Sequence, residues 1–526
     1  MTAYLRPGDS ASLLTAARRR RERDELAAGQ FVDLLVVGGG VTGTGVALDA
    51  ATRGLSVALI ESHDFAFGTS RWSSKLIHGG LRYLANGHVG VAWESAAERG
   101  RLMTKIAPHL IRALPQLVPV FDDTSAASRA TTWSGMGAGN AMRLATLVPD
   151  SVLPRPRRLS AAEAMRLVPS LPAGRLQGAY LGWDGQLEDD ARLVVAIART
   201  AAAYGASMLT KVAALEIGPE GALVEDRLDG GVFTIRARHV INATGVWAGT
   251  LDNRVTLSPS RGTHLVVRAH DLGHPSASLT VPVPGHMGRF VLVLPQADDL
   301  IYVGLTDVAA PGSIPDVPSA SESEIEWILG ILGTALQRPL ERSQVVGTFA
   351  GLRPLVSFGE SASEGLAHES ADISRRHLVL GGPGEVVTVT GGKLTTYRRM
   401  AQDAVNRISA VECRTKSLPL IGAGPVLLSG PMPARLIRRY GSEAPLIAAL
   451  ADADPSLLLP ITPLGSGNHV DVRGVELLWG IAAEGALTSD DLLERRTRVS
   501  MVAEDLALAT PRALEIMSNH WEISGV

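Results

Sequence analysis

The feature that most constrains the fold is a strand–turn–helix pattern near the start of the chain. A short apolar run at residues 34–37 leads into a glycine-rich turn, and an apolar helix follows. A second strand, residues 56–60, ends at Glu61, roughly 20 residues beyond the first glycine, where an acidic side chain binds a ribose. The pattern predicts a βαβ unit that binds a dinucleotide, and it leaves NAD and FAD open as the cofactor.

The glycines of this turn have a physical role in cofactor binding. Because glycine has no side chain, the backbone can approach a pyrophosphate, and the helix N-terminus adds free N–H groups and the positive end of its dipole. The residues of the unit that we expect to bind the cofactor are Gly38, Gly40, Val41, Thr42, Gly43 and Glu61.

Composition and charge exclude several classes of protein. A chain of 526 residues is long enough for two or three domains of roughly 100 to 200 residues each. Its formal net charge of −3 predicts no nucleic-acid partner, since phosphate backbones are bound through a clear excess of basic side chains. The single cysteine, Cys413, excludes an internal disulfide and a thiolate metal cluster; we predict no metal site. The sequence has no run of about 18 apolar residues, so no transmembrane helix is expected.

Changes of pattern along the chain predict an α/β protein built from interleaved segments. Alternating strands and helices indicate a Rossmann-like cofactor-binding domain, and short β-rich runs between Pro, Gly and Asp indicate an antiparallel β substrate domain as a second layer. The last part of the chain has helical periodicity, including residues 492–506. We expect an N-terminal helical arm at 1–30, the cofactor domain at 31–120, 161–262 and 346–412, an insertion near the substrate or a membrane at 121–160, the antiparallel domain at 263–345, and an α-helical domain at 413–526.

Three segments carry a more specific signal than the glycine turn. The sequence reads GTSRWSSKLIHGGLRYL at residues 68–84, GLRP at 351–354 and TGGKLTTYR at 390–398. In order and spacing these segments resemble the FAD-dependent glycerol-3-phosphate dehydrogenase family, and the resemblance covers nearly the whole chain. It implies FAD as cofactor and oxidation of sn-glycerol 3-phosphate to dihydroxyacetone phosphate. A hydride would pass from C2 to flavin N5, and the electrons would pass to a quinone.

The resemblance also implies which further residues bind the flavin. Small hydroxyl side chains after the second strand can reach a pyrophosphate without filling the cofactor's space. A turn after a later strand would run beside the cofactor, and a glycine pair would open a helix whose N–H groups face the flavin. The residues so identified are Thr69, Ser70, Ser73, Ser74, Lys75, His78, Gly79, Ala243, Thr244, Gly245, Gly391, Gly392, Leu394 and Thr395.

A phosphate monoester needs fixed positive charge, and arginine binds its oxygens in bidentate fashion. By resemblance, the substrate would contact Arg82, Tyr83, Arg353, Arg375 and Lys393. His264, at the start of the predicted antiparallel sheet, is a further candidate for orienting the substrate. The cations Arg82, Arg353 and Lys393 are also assigned to catalysis, because their charge would polarise the C2 oxygen. His264 is the candidate for accepting the hydroxyl proton, since an imidazole can accept a proton near pH 7; a buried structural histidine is the alternative.

Other classes of function remain open. One is an oxidase of the same fold that produces hydrogen peroxide, or an FAD amine oxidase, although the cluster of Arg and Lys favours a phosphate over a carboxylate. Another is a catalytically silent flavin-binding paralogue, against which Arg82, Arg353 and Lys393 argue. The resemblance implies a cytoplasmic enzyme held peripherally on the cytoplasmic face of the membrane. A homodimer is the candidate assembly.

Overall fold

Two β-sheets organise the protein, which a computed structural model describes for residues 4–79, 89–145, 153–286, 289–356, 377–428, 430–462 and 470–520. Within these residues the first sheet has eight strands. They are β1 (Phe31–Val37), β2 (Val57–Glu61), β7 (Ser207–Thr210), β8 (Val212–Gly218), β9 (Gly221–Asp226), β10 (Gly231–Asn242), β17 (His377–Leu380) and β18 (Val387–Gly391).

The second sheet has ten strands in the described part of the chain. They are β3 (Leu76–Ile77), β4 (Ile111–Phe121), β5 (Arg157–Leu159), β6 (Leu176–Leu187), β11 (Ser260–Arg268), β12 (Ser278–Pro282), β13 (Phe290–Pro295), β14 (Leu300–Gly304), β15 (Val308–Ala309) and β16 (Val345–Arg353). All pairings are antiparallel except that of β12 with β4. Strand β11 pairs with β14 on one side and with β16 on the other, so it is an interior strand of the sheet.

Helices surround both sheets and form a separate unit near the C-terminus. The described helices are α1 (Ala16–Ala27), α2 (Val41–Thr52), α3 (Val89–Arg101), α4 (Ala126–Ala145), α5 (Ala161–Leu167), α6 (Asp190–Ala203), α7 (Ala248–Leu251), α8 (Glu322–Gly333), α9 (Tyr397–Val405), α10 (Ala434–Tyr440), α11 (Ala444–Ala448), α12 (Gly474–Ala483) and α13 (Ala503–Asn519). Helices α10 to α13 share a core of their own around Trp479 and Leu477, so this C-terminal domain has its own apolar centre.

The parallel part of the first sheet positions the functional region. Its strand order is β18–β10–β1–β2–β7, and β17 extends one edge by antiparallel pairing. Strand β1 reads FVDLLVV and is largely buried, as expected for a central strand covered on both faces. Helix α2 packs against α6 and α9 over this sheet. The carboxyl ends of the parallel strands meet at one edge, where open α/β sheets bind their ligands.

Residues 121–160, the predicted insertion, contain the 20-residue helix α4. The structure differs from the sequence-based expectations in two places. Strands β4, β6 and β16 fall within segments assigned to the cofactor domain, yet they pair in the second sheet. The helix expected at 492–506 is broken, because Arg498 adopts φ +67°, which no right-handed helix allows. A π-helical turn, Asp491–Arg496, precedes the break and α13 follows it. Among the described helices, none is both long and apolar enough to cross a membrane.

Candidate active site

The glycine turn after β1 is held by contacts that only glycine permits. Gly38 has φ +113°, and a Cβ there would lie 2.7 Å from the Ala243 carbonyl oxygen. A Cβ on Gly43 would overlap the Gly38 carbonyl oxygen, so α2 can approach β1 only with glycine at this position. Gly40 is the N-cap of α2. The turn therefore offers backbone rather than side chains at the start of α2, and this geometry fits a pyrophosphate.

Glu61 closes the same turn from the end of β2. Its Oε2 accepts a hydrogen bond from the Gly39 N–H at 2.7 Å, and its Oε1 accepts one from the His63 N–H at 2.9 Å. Burial raises the pKa of the Glu61 carboxyl, while these two backbone hydrogen bonds oppose the rise. The carboxyl group is thus fixed beside the glycine turn, where a dinucleotide places a ribose.

Residues 69–75, here called the bridging segment, connect the glycine turn to the second sheet. Ser70 Oγ accepts a hydrogen bond from the Val41 N–H at 2.9 Å, in the first turn of α2. Thr69 Oγ1 donates to the Leu352 carbonyl oxygen of β16 at 2.7 Å. Two of the predicted cofactor residues, Val41 in the fingerprint and Ser70 in the segment, are therefore in direct contact, although they lie 29 positions apart in the chain.

Asp190, the first residue of α6, fixes the far end of the bridging segment. Its Oδ2 accepts hydrogen bonds from the Ser73 N–H at 2.9 Å, from Ser73 Oγ at 2.7 Å and from Lys75 Nζ at 2.7 Å. Burial lowers the pKa of Lys75 to about 8, although the Asp190 carboxylate opposes this. Ser73 and Lys75 were predicted to bind the cofactor; the structure shows their polar atoms bound to Asp190.

His264 lies in the middle of the second sheet, on β11. It faces Gly304 of β14 and Phe349 of β16, and its ring stacks on the Phe349 ring with 4.5 Å between centroids. A Cβ on Gly304 would lie 2.6 Å from His264 Cδ2, so glycine makes room for the imidazole. His264 Nε2 is hydrogen-bonded to Ser74 Oγ at 2.8 Å, whereas its buried Nδ1 has no hydrogen-bond partner among the residues that the structure describes.

The environment of His264 keeps its imidazole neutral. Burial, together with the charges of Lys75 and Arg353, lowers the pKa of His264 to about 3. Near pH 7 the imidazole is therefore neutral, with a proton on one ring nitrogen and a lone pair on the other. The geometry is that of a buried histidine, and a pKa this low makes the imidazole a weak base; its use as a proton acceptor would require the substrate complex to raise this pKa.

Arg353 ends β16 and crosses the neighbouring strand β11. Its Nη1 donates to Ser260 Oγ and to Asp307 Oδ1, each at 3.1 Å, and its Nη2 donates to the Thr306 carbonyl oxygen at 3.1 Å. The guanidinium passes over Gly262, where a Cβ would collide with it. The GLRP motif thus places a cation in the second sheet, with Asp307 fixing its orientation.

Lys393 lies at the start of the third motif. It is the N-cap residue of a 3-10 helix, Leu394–Thr396, which leads into α9, so the predicted residues Leu394 and Thr395 are in this short helix. Lys393 Nζ donates to Ser95 Oγ of α3 at 2.7 Å. The 3-10 helix also contacts β3, which follows the bridging segment directly. The third motif is therefore adjacent to the first, which spans residues 68–84.

The two predicted turns downstream also come together. Gly391 and Gly392 have φ +80° and +69°, in the left-handed region that glycine tolerates. Thr390 Oγ1 donates to the Gly245 carbonyl oxygen at 3.0 Å, which joins this turn to the one after β10. The Thr244 N–H and hydroxyl both donate to Asn242 Oδ1 within that second turn. Ala243 in turn faces Gly38, so the predicted cofactor positions form one continuous region.

The remaining predicted residues lie after β3. Gly79 N–H donates to Asp184 Oδ1 at 3.2 Å, and Arg99 of α3 pairs with the same oxygen at 2.6 Å. A Cβ on Gly79 would collide with the Arg99 guanidinium, and His78 is its chain neighbour. The predicted substrate residues that lie outside the described residues are Arg82, Tyr83 and Arg375.

Three residues of this region had no functional assignment from the sequence. Asp190 was expected only as the start of a helix, which is where Asp is common for capping reasons alone. It lies 115 residues from Lys75 in the chain, and no local motif connects the two. Asp307 and Ser95, which hold Arg353 and Lys393, are likewise remote from their partners and carry no motif.

The family models cover both parts of the molecule. The model described as FAD dependent oxidoreductase matches residues 33–398, nearly the whole two-sheet region. The model described as the C-terminal domain of alpha-glycerophosphate oxidase matches residues 413–525. The glycine-rich turn at Gly38–Gly43 and the Glu61 carboxyl fit the pyrophosphate and ribose of FAD. The protein is an FAD-dependent oxidoreductase, and FAD is its cofactor.

Individual relatives make the assignment more specific. Glycerol-3-phosphate dehydrogenase 1 of Mycobacterium tuberculosis is 47% identical over 519 residues, which are 97% of this chain and 99% of the relative. The structure of the FAD complex of glycerol-3-phosphate dehydrogenase from Bacillus halodurans has 25% identity and a TM-score of 0.71, covering 98% of this chain and 96% of the other. The chain belongs to the FAD-dependent glycerol-3-phosphate dehydrogenase family. These findings confirm the family, fold class and cofactor expected from the sequence.

A more distant structure shares the fold alone. L-alpha-glycerophosphate oxidase from Mycoplasma pneumoniae, with FAD bound, is 18% identical with a TM-score of 0.53 and covers 74% of this chain and 99% of its own. This protein is named an oxidase. A shared fold does not by itself select an electron acceptor.

Proposed function

We propose that the protein oxidises sn-glycerol 3-phosphate to dihydroxyacetone phosphate with FAD. The observation that carries this proposal is a neutral, buried His264 in the same sheet as the cation Arg353, with the bridging segment joining both to the glycine turn. Oxidation of a phosphorylated secondary alcohol needs a fixed cation for the phosphate and an acceptor for the hydroxyl proton. The name of the 47% identical relative supports the same substrate.

In the proposed reaction His264 accepts the proton of the C2 hydroxyl. In the tautomer that carries its proton on Nε2, this N–H donates to Ser74 Oγ, and the Nδ1 lone pair is the acceptor. Stacking on Phe349 fixes the plane of the ring. Because both neighbours hold the imidazole before substrate arrives, proton transfer needs little rearrangement.

Two described cations are proposed to bind the substrate phosphate and to polarise the C2 oxygen. Arg353 is held by Asp307 and Lys393 by Ser95, so each is oriented by a neighbouring side chain. By resemblance, the proposed substrate residues Arg82, Tyr83 and Arg375 complete this set.

The cofactor is proposed to lie across the glycine turn, Glu61, the bridging segment and the turns at 243–245 and 391–395. When bound, FAD supplies the redox chemistry by accepting the hydride from C2 at N5. The protein contributes binding, orientation and acceptance of one proton. His78 and Gly79, next to β3, are proposed as further contacts.

For the electrons we propose a quinone acceptor, with the enzyme attached peripherally to the cytoplasmic face of the membrane. Support comes from the family resemblance and from the relatives, which are named dehydrogenases. A homodimer is the proposed assembly. An oxidase of the same fold would differ in passing the electrons to oxygen.

The proposed function is tested by anaerobic reduction of the purified holoprotein. Glycerol 3-phosphate is added while the visible flavin absorption is recorded, with glycerol and a D-amino acid as controls. We expect the flavin bands to bleach with the phosphate ester alone. Bands that persist with glycerol 3-phosphate would overturn the proposed substrate. Reoxidation of the bleached enzyme by a soluble quinone faster than by oxygen would support the proposed acceptor, and the reverse order would contradict it.

A further inference from the structure

We propose that the C-terminal domain positions the flavin site through residues 491–498, here called the C-terminal clamp. The inference rests on the proposed flavin contacts and extends them by giving a role to a domain that lies outside both sheets. The clamp consists of the π-helical turn Asp491–Arg496 and the two residues after it. It contacts the bridging segment and the loop that follows Glu61.

On the bridging segment, the clamp holds Arg71 by both its side chain and its backbone. Glu494 Oε2 accepts a hydrogen bond from Arg71 Nη1 at 2.5 Å, and Arg498 Nη2 donates to the Arg71 carbonyl oxygen at 2.7 Å. Lys75 Nζ donates to the same carbonyl oxygen at 2.9 Å. The Arg71 side chain is only 1% exposed, so these contacts replace solvent around it. Arg71 follows Ser70, whose hydroxyl binds the first turn of α2.

The clamp also reaches towards His264 through aromatic contacts. The Arg498 guanidinium lies 5.1 Å from the centroid of the Trp72 ring, and the Arg71 guanidinium lies 4.4 Å from it. Trp72 stacks with Phe349 at 5.9 Å between centroids, and Phe349 stacks on His264. Arg498 therefore contacts the bridging segment directly and is connected to the His264 ring through Trp72 and Phe349.

On the loop after β2, the clamp holds Asp64. Arg496 donates to both carboxylate oxygens of Asp64, at 2.7 and 2.9 Å, and Arg495 Nε donates to Oδ2 at 2.6 Å. Burial alone would raise the pKa of Asp64, but these two cations outweigh it and hold the pKa far below its ordinary range. Asp64 lies three residues beyond Glu61, so the clamp fixes the loop that carries the proposed ribose ligand.

The geometry of the clamp depends on an unusual backbone position. Arg498 has φ +67°, a conformation that side-chain-bearing residues rarely adopt, and this break directs its guanidinium to Arg71 and Trp72. The contacts to the two cofactor loops are charged and mostly buried. Each loop would consequently become more mobile if its clamp partner were removed, because a buried charge without its counter-charge draws in water or moves towards solvent. Glu494 and Arg498 are therefore positioning residues for the flavin.

The test uses the full-length holoenzyme with two clamp variants and one matched control. Glu494→Gln removes the carboxylate that pairs with Arg71. Arg498→Gly removes the guanidinium while placing glycine where positive φ is favourable, so this variant should fold. Asp505→Asn is the control, because the Asp505–Arg268 pair, 2.7 Å long, ties α13 to β11 and includes neither cofactor loop. The FAD dissociation constant is measured from the fluorescence of flavin released on dilution, alongside Tm.

We expect both clamp variants to weaken FAD binding by roughly tenfold or more, while the control keeps the wild-type dissociation constant. Equal weakening in the Asp505→Asn variant would overturn the proposal, since it would indicate a general loss of stability. Clamp variants that bind FAD within twofold of wild type would overturn it as well. The measurement of FAD binding uses no glycerol 3-phosphate, so its result stands even if the proposed substrate is wrong.

Discussion

The glycine turn and the bridging segment lie side by side but are built in different ways. The turn is held mainly by backbone atoms and by the absence of side chains, and most of its contacts are short-range in the chain, although Gly38 also lies against Ala243. The bridging segment is held by side chains from α6, β11 and the C-terminal clamp, with partners up to 427 residues away. The turn is a local structure, whereas the bridging segment is assembled by the whole fold.

This difference separates two tasks within one site. Among the described residues, Glu61 is the one titratable side chain that binds the backbone of the turn. Under the proposed function, the turn binds a part of FAD that does not react. The bridging segment holds Ser74 against His264, and its surroundings determine the charge state of that histidine. We therefore expect changes at the turn to affect cofactor content, and changes at the second sheet to affect turnover with the cofactor still bound.

The largest effect is expected from Gly43→Ala at the turn. The added Cβ would overlap the Gly38 carbonyl oxygen, and such overpacking costs about 1–3 kcal/mol or more when backbone must shift. We expect the variant to be purified without FAD, as measured by the ratio of flavin to protein absorbance. Gly330→Ala is the control, because a Cβ at this exposed position of α8 meets nothing within 4 Å. Full flavin content in Gly43→Ala would show that the turn does not bind the cofactor.

His264→Asn should lower turnover while the flavin stays bound, the converse of the result expected for Gly43→Ala. Losing the proton acceptor should lower kcat by about 10²- to 10⁴-fold, the usual contribution of a general base. Flavin content should stay at the wild-type level, because His264 is in the second sheet. His270→Asn, at an exposed histidine of the same sheet region, should keep the wild-type kcat. Near-normal turnover in the His264 variant would leave this histidine with a structural role alone.

The pH dependence of stability should report on the burial of His264 in the second sheet. The unfolded chain protonates His264 near pH 6.5, but the folded protein does so only near pH 3. Its contribution to stability is therefore complete above pH 6.5 and is lost as the pH falls, by about 2 kcal/mol at pH 5. We expect Tm to fall less between pH 7 and pH 5 in His264→Asn than in the wild type. Equal decreases of Tm in the two proteins would show that burial does not lower the pKa of His264.

The smallest effect is expected from Ser74→Ala. This change removes one hydrogen bond from His264 Nε2, and a bond of this kind contributes about 1 kcal/mol. Turnover should therefore fall by about fivefold to tenfold with flavin content unchanged. Ser56→Ala, where the hydroxyl binds Asp33 at the amino end of the first sheet, should have the wild-type kcat. An unchanged kcat in Ser74→Ala would mean that Phe349 alone orients the imidazole.

The sequence predicted the local parts of the molecule well. The βαβ unit, the strand near residues 207–210 and the run that became β11 all follow from short-range hydrophobic patterns and glycine spacing. The family resemblance identified Arg353 and Lys393, and the chemistry of imidazole suggested His264. The structure places all three around the bridging segment and the adjacent 3-10 helix.

What could not be predicted depends on contacts between distant segments. Asp190 resembles any acidic helix start until the fold brings it to Ser73 and Lys75. The helix periodicity at 492–506 gave no sign that Arg498 would leave the helical region, because its partners Arg71 and Trp72 lie over 400 residues earlier in the chain. The sheet membership of β16 likewise depends on its pairing with β11 rather than on its own sequence.

The interleaving of the two sheets has a consequence for biosynthesis. During translation the glycine turn can form as soon as β2 has left the ribosome, but β10 joins the first sheet much later and β18 later still. The clamp, at residues 491–498, follows all of them. A nascent chain thus exposes unpaired strand edges for most of its synthesis, which makes it dependent on protection from aggregation. Under the proposed role of the clamp, the complete flavin site forms only after residues 491–498 have been synthesised.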